Sequence, residues 1–368
     1  MIGQPVARID TPALVVDLDA MERNLMAMAA FARERGLRLR PHAKMHKSGW
    51  ISRRQIELGA VGVCVQKTSE AEALAAQGVD DIFISNEVID PAKLARVAAL
   101  ARQVRLAIAV DSLLGIERLA AAIHAAGARL DVLIEIDVGQ GRCGAAPSEA
   151  GVLASALLTH GLRFAGLQAY QGRAQHLRAV ADRRAAIDAA ADAVRQAQAA
   201  LRAHGIACPL VTGAGSGSFV LEAQSGLWGE LQAGSYALMD RDYADNEPLP
   251  GAPRFEHALF VKCQVMSRGP THAVVDAGHK SHAIDSGLPR VWRRDDLVFA
   301  SCSDEHGVLR AAAVPGAVLP ALGDGIWLVP GHCDPTINLH DTMLGVRGGL
   351  DAGVVERVIR VDARGCVA

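Results

Sequence analysis

Hydrophobic positions along the chain alternate between two textures. Short runs rich in Val, Ile and Leu are followed by longer Ala-rich stretches in which apolar residues recur every three or four positions. After a leading "ALVVDL", the short runs fall at residues 37–42, 60–65, 81–85, 104–110, 130–137, 164–169, 208–212 and 229–233. Each predicts a strand, and the stretches between them, such as "SEAEALAAQG" and "RAVADRRAAIDAAADAVRQAQAALRAHG", predict amphipathic helices. The second of these ends at Gly205, a suitable C-cap. Eight β/α units in succession predict a closed (β/α)8 barrel.

Beyond Arg254 the pattern changes to "HALFVKCQVMS", "THAVVDAG", "LVFASCS", "GDGIWLVPG" and "GVVERVIRVDARG", alternating strands punctuated by turn residues. The predicted organisation is an N-terminal strand segment (1–25) that pairs with the later β region, a barrel (26–254) and a C-terminal β-rich domain (255–368).

A net charge of −2 gives no electrostatic footprint for nucleic acid or a membrane surface, so a small molecule is the expected partner. The first twenty residues lack a basic segment followed by an apolar one, and no apolar run reaches 18 residues, which predicts a cytoplasmic protein. The seven cysteines are scattered without a CxxC pair and read as reduced thiols.

In such a barrel the reacting groups come from loops after the strands' C-terminal ends. Those ends carry Lys44 in "RPHAKMHKS", Gln66, Asn86 with Glu87, Asp111, "VGQGRCG", "YQGRAQH", "TGAGSGS" and "GSY". The glycine loop, Thr212, Gly213, Gly215, Ser216 and Gly217 among it, is either a plain turn or a nest of N–H groups for a phosphate, closed by Gly234, Ser235 and Tyr236. A phosphate site opposite a strand-end lysine suggests pyridoxal phosphate, whose aldehyde needs an amine. Lys44 holds the strand-end position, whereas Lys47 reads as a solvated lysine at a helix start or a phosphate-side neighbour. His42 and His46 either orient the cofactor or pack beside it.

In "LVPGHCDPTINLHD" an extended backbone would turn His332 and Asp334 to one side and Cys333 to the other, with Pro335 ending the strand. That pair suits a divalent cation with water in the remaining positions, although HxD also arises by chance. "CSDEHG" adds Asp304, which lines the same site or belongs to a polar turn.

Taken in order, "RPHAKMHKS", "EIDVGQGRCG", "GLQAYQG", "TGAGSGS", "LQAGSYALMD", "SDEHG" and "VPGHCDPTINLHD" resemble the fold-type III pyridoxal phosphate enzymes of the D-threonine aldolase group, and within it the 3-hydroxy-D-aspartate aldolases. The resemblance implies an alanine-racemase-like barrel with a β domain, and a homodimer in which each β domain covers the partner's barrel. It makes Lys44 the Schiff-base lysine, Arg142 the contact to the cofactor's phenolic oxygen and Tyr170 the neighbour of its pyridine nitrogen. It gives the phosphate to the glycine loop with Gly234, Ser235 and Tyr236, and Mn2+ or Mg2+ to His332 and Asp334. Asp304 matches an acidic position close to metal or substrate. Gln171 stands where many D-threonine aldolases have a histidine, which favours the 3-hydroxyaspartate branch, and Arg173 replaces a small residue, either as a second-carboxylate contact or as an exposed arginine.

The implied activity is retro-aldol cleavage of a D-3-hydroxy amino acid to glycine and an aldehyde. D-serine or 3-hydroxyaspartate dehydration is the alternative. Related dehydratases resemble an HxC zinc pair, whereas a carboxylate donor here favours Mn2+ or Mg2+. A non-catalytic cofactor carrier would lack the β-rich region and the metal pair.

Overall fold

The computed structural model describes residues 1–368. Strand β1 (Ala13–Asp17) is followed by β2 (Arg38–Leu39), β3 (Val63–Val65), β4 (Asp81–Ile84), β5 (Arg105–Val110), β6 (Asp131–Glu135), β7 (Arg163–Ala169), β8 (Val211–Gly213) and β9 (Glu230–Leu231). The last eight form one parallel sheet in the order β2-β9-β8-β7-β6-β5-β4-β3. Its two ends meet through a parallel bridge between His42 and Cys64, where the Cys64 N–H donates to Pro41 O and the Ala43 N–H to Cys64 O, each at 2.8 Å. The barrel therefore closes one residue short of Lys44.

Alternation along the strands sorts their side chains. Val63, Val65, Ile82, Ile84, Ile108, Val132 and Ile134 pack outward under the helices, whereas Cys64, Phe83, Ala109 and Leu133 fill the interior. The helices carry their own stop signals: Ser112 Oγ accepts from the Gly115 N–H at 3.3 Å, and Gly127 ends that helix at φ 58°. The long helix Val180–Ala203 likewise runs out at His204 before Gly205 turns left-handed at φ 71°.

The second sheet combines β1 with β10 (Leu259–Arg268), β11 (Ala273–Val275), β12 (Arg290–Val291), β13 (Leu297–Cys302), β14 (Gly307–Ala311), β15 (Gly325–Val329), β16 (Thr342–Arg347) and β17 (Val354–Arg360). β1 lies antiparallel to β10 and parallel to β16, so the N-terminal segment is woven into the β-rich region. Lys262 ties it further, its ammonium donating to Val6 O (3.1 Å), Ala7 O (3.0 Å) and Ile9 O (2.7 Å). No helix is long and apolar enough to cross a membrane.

One local expectation is overturned. Residues 332–334 are not extended: β15 stops at Val329, and His332 is the N-cap of a short helix, Cys333–Ile337, with Pro335 in its first turn. Proline is at home there because the N–H it lacks would have no helical partner.

Candidate active site

A cavity of ≈ 180 Å³ opens at the C-terminal mouth of the barrel and is capped by the segment that follows β15. Lys44, Gln66, Arg142, Tyr170, Gly215, Ser216, Gly234, Ser235, His332 and Asp334 all line it. The lysine amine lies 3.6 Å from Asp334 Oδ2, and Asp334 Oδ1 lies 3.7 Å from His332 Nε2. Burial, the largest single influence, disfavours the charged amine, but Asp334, Tyr170 and Glu70 together raise the Lys44 pKa.

The glycine loop has the features of an anion nest. Ala214 is left-handed at φ 74°, and the N–H groups of Ala214, Gly215 and Ser216 donate to no protein acceptor. A Cβ at Gly215 would collide with Gln175 Oε1. The rest of the loop faces elsewhere. Thr212 Oγ1 donates to Glu230 Oε1 at 2.9 Å, Gly213 abuts Ala169 O, and the Gly217 N–H donates to Gln175 Oε1 at 2.9 Å. The Tyr236 hydroxyl points into the core, where it accepts from Gln55 Nε2 at 3.2 Å. None of these four lines the cavity.

The three weaker substrate candidates also lie outside it. The Gln171 amide is committed to backbone groups, donating to Val138 O in the loop after β6 at 3.0 Å and accepting from the Arg173 N–H at 3.1 Å. Arg173 is exposed. Asp304 sits at the β13–β14 turn, 66% exposed, 2.8 Å from His279 Nε2.

The histidines near Lys44 separate. His42 lines the cavity; its Nδ1 accepts from the Lys44 N–H at 3.4 Å, its Nε2 is 2.9 Å from Gln66 Nε2, and burial beside Lys44 and Arg142 drives its pKa well below the ordinary value. His46 is buried away from the cavity. Its Nδ1 accepts from the Ser48 N–H at 3.1 Å, which leaves Nε2 to donate to Gln55 Oε1 at 3.3 Å, and burial lowers its pKa to about 4. Lys47 is not solvated. With φ 50° it turns inward, 7% exposed, and joins Glu70 (3.3 Å) to Asn338 Oδ1 (2.9 Å) on the β-rich side.

Sequence reasoning missed His176. It lines the cavity, with Nδ1 2.6 Å from Asp242 Oδ2, and Arg178 engages Oδ1 of the same carboxylate. Burial opposes ionisation of Asp242, but hydrogen bonds from His176 and Arg178 bring its pKa to about 2. A carboxylate on Nδ1 fixes the proton there and leaves Nε2 of this half-exposed ring as the acceptor. Its only signal in the sequence was its place in the polar "YQGRAQH" after a strand.

The donor set of His332 and Asp334 suits a cation. His332 Nδ1 is 2.7 Å from Asp285 Oδ2, which leaves Nε2 facing Asp334, and Asp334 Oδ1 is buried with no hydrogen-bond partner. No third His, Cys, Asp or Glu completes a three-residue set, so water or substrate oxygens would fill the other positions.

Residues 16–242 match the alanine racemase N-terminal domain model, and residues 258–346 match a serine dehydratase domain model. The chain belongs to the alanine-racemase-like family of pyridoxal phosphate proteins. It is 47% identical to a D-threonine aldolase of an Arthrobacter species (99% of this chain, 95% of that one) and 45% identical to a 3-hydroxy-D-aspartate aldolase of Paracoccus denitrificans strain Pd 1222 (99% and 94%). The solved structure of D-threonine aldolase from Filomicrobium marinum superposes with a TM-score of 0.95 at 50% identity, covering 100% of this chain and 99% of that one.

Proposed function

We propose that the protein cleaves D-3-hydroxy amino acids by a retro-aldol reaction, releasing glycine and an aldehyde: glyoxylate from 3-hydroxy-D-aspartate and acetaldehyde from D-threonine. The observation that carries this reading is convergence, since the Lys44 amine, the Asp334 carboxylate and the His332 imidazole meet in one cavity within 3.7 Å of one another in sequence of contact. An amino group held near Lys44 brings its β-hydroxyl toward that pair.

Lys44 would supply the amine for the cofactor's aldehyde, Arg142 would serve its phenolic oxygen, Tyr170 its pyridine nitrogen, and the Ala214–Ser216 N–H groups with Ser235 would hold the phosphate. Bound pyridoxal phosphate supplies the electron sink for the electron pair left on Cα. His332 and Asp334 would hold Mn2+ or Mg2+, which would supply Lewis acidity at the 3-hydroxyl. His176, with its Nδ1 proton held by Asp242, would take the hydroxyl proton on Nε2 as the Cα–Cβ bond breaks. A proton returned to Cα gives glycine. A carboxylate rather than a thiolate at position 334 supports cleavage over dehydration, because Cys333 is wholly buried and its N–H is turned to Asp240.

The reading extends to a cytoplasmic homodimer with the chain divided at 1–25, 26–254 and 255–368. Asp304 would then meet substrate only in the partner's cavity, and sedimentation at working concentration checks the oligomer. The deciding experiment incubates the holoenzyme with D-threonine and 3-hydroxy-D-aspartate separately, with Mn2+ or Mg2+. Glycine release that stops on chelation supports the reading. 2-Oxobutyrate from D-threonine or oxaloacetate from 3-hydroxy-D-aspartate, with ammonia, would replace it by dehydration, and no turnover of either substrate would leave a carrier.

A further inference from the structure

Beside Arg142, three acidic residues come from three adjacent strand ends. Glu135 closes β6, Glu87 follows β4 and Asp111 follows β5. The Glu135 side chain is 6% exposed, and its Oε1 lies 3.9 Å from an Arg142 guanidinium nitrogen. Its Oε2 and both Glu87 oxygens are buried without a donor. Asp111 is differently placed, since its Oδ2 accepts the Gly144 N–H at 3.2 Å.

Two carboxylates that face each other with three orphaned oxygens are electrostatically untenable in a buried setting unless one of them keeps a proton. With a single proton between them, Glu135 Oε2 donates to one Glu87 oxygen, two of the three orphaned oxygens are matched, and the pair presents one negative charge to Arg142 instead of two. The guanidinium lies across the Tyr170 ring, 5.8 Å from its centroid, and is itself half-exposed, so the carboxyl pair is its buried anchor.

We propose that Glu135 and Glu87 share one proton and act as positioning residues, holding Arg142 over the cavity at the end that takes the cofactor's phenolic oxygen. This rests on the role given above to Arg142. Burial and the neighbouring Glu87 carboxylate support it by raising the Glu135 pKa to about 9, with Glu87 also raised by burial and Asp111. The charged or titratable groups facing the pair are Asp111 from the β5 end, and Arg142 and Cys143 from the loop after β6.

The sign follows from the chemistry. Below pH 9 the pair carries one charge; as pH rises through about 9 Glu135 ionises, a second buried charge appears beside Arg142, and the cation is drawn away from the cofactor. The test follows the visible absorption band of the pyridoxal phosphate holoenzyme, and cofactor retention on dialysis, from pH 7 to 10.5. The wild-type band is expected to inflect near pH 9. Glu135→Gln, which copies the protonated carboxyl but cannot ionise, removes that inflection. Glu135→Leu removes it and also weakens cofactor retention about tenfold, because Glu87 and Arg142 both lose their partner. Glu87→Gln, a second route if Glu135→Leu does not fold, removes the neighbouring charge but not the burial of Glu135, and the inflection is expected to move to lower pH.

An inflection that persists unchanged in Glu135→Gln overturns the shared proton. Arg142→Leu separates this from the underlying reading. If that variant alters the band while the glutamate variants do not, the carboxyl pair has no positioning role. If Arg142→Leu leaves the band and cofactor retention untouched, the role of Arg142 at the cofactor fails first, and the positioning role of the pair with it.

Discussion

Asp242→Asn isolates the part played by the carboxylate behind His176. In the native protein the carboxylate receives Arg178 on Oδ1 and His176 Nδ1 on Oδ2, the latter at 2.6 Å. Arg178 has only donors, so an asparagine must give it the carbonyl oxygen and turn its NH2 toward His176. Nδ1 then accepts, the ring proton moves to Nε2, and the nitrogen facing the cavity can no longer take a proton. Losing a general base of this kind is expected to lower kcat about a hundredfold or more, with a smaller change in KM. There is a stability cost as well. Asp242, 6% exposed, is drawn from the ordinary 3.8 to about 2, which corresponds to roughly 2 kcal/mol from its donors. The pKa is lowered on folding, so this stabilisation is complete above pH 3.8 and lost only as the pH falls toward 2; at pH 7 the variant forfeits all of it. The assay is glycine release from D-threonine with saturating Mn2+, alongside urea unfolding. The double variant Asp242→Asn with Arg178→Met frees the amide to rotate and should recover part of the lost rate. A kcat within threefold of wild type in Asp242→Asn, with His176→Asn equally active, would refute the assignment of His176 as the base.

Gly215→Ala drives a methyl into Gln175 Oε1 at the loop with the free N–H groups, and should lower pyridoxal phosphate affinity about tenfold in an equilibrium titration while far-ultraviolet circular dichroism stays unchanged. Lys47→Met removes the cation from a buried pair with Glu70, which keeps N–H donors from Gln66 and Lys67, so urea unfolding should show a loss of about 2–3 kcal/mol. Lys262→Met strips three carbonyls of their shared donor. It should cost about 2 kcal/mol and speed proteolysis within residues 1–12, with glycine release from the intact enzyme preserved.

The barrel was legible because its strands are bounded β-branched runs and its helices carry their own caps; all eight parallel strands lie within or beside the runs that predicted them. Lys44 was legible from its place at a strand end. The route to His332 and Asp334 was different from the structure's. A two-residue repeat was expected to align them, yet the N-cap and second residue of a helix bring them together instead, because β15 ends three residues early. What could not be read was the use of side chains across distant segments. Gln171 spends its amide on Val138 O, 33 positions away, and His176 owes its orientation to Asp242, 66 positions on. Lys47 looked solvated because a left-handed backbone at a lysine leaves no mark in composition.

The short segment around Lys44 has a consequence for how the molecule can be taken apart. Lys47 reaches Asn338, its carbonyl accepts the Ala363 N–H at 3.0 Å, and the Gly49 N–H donates to Asp362 Oδ2 at 2.8 Å. The strand-end turn that presents the reactive amine is therefore fastened to the C-terminal region at three points within five residues of that amine. A barrel cut free at residue 254 would lose more than His332 and Asp334, since Lys44 itself would be carried on a turn without its outer moorings. The barrel and the β-rich region of this chain are not exchangeable modules, and a transplanted barrel would need replacement anchors to hold Lys44 in place.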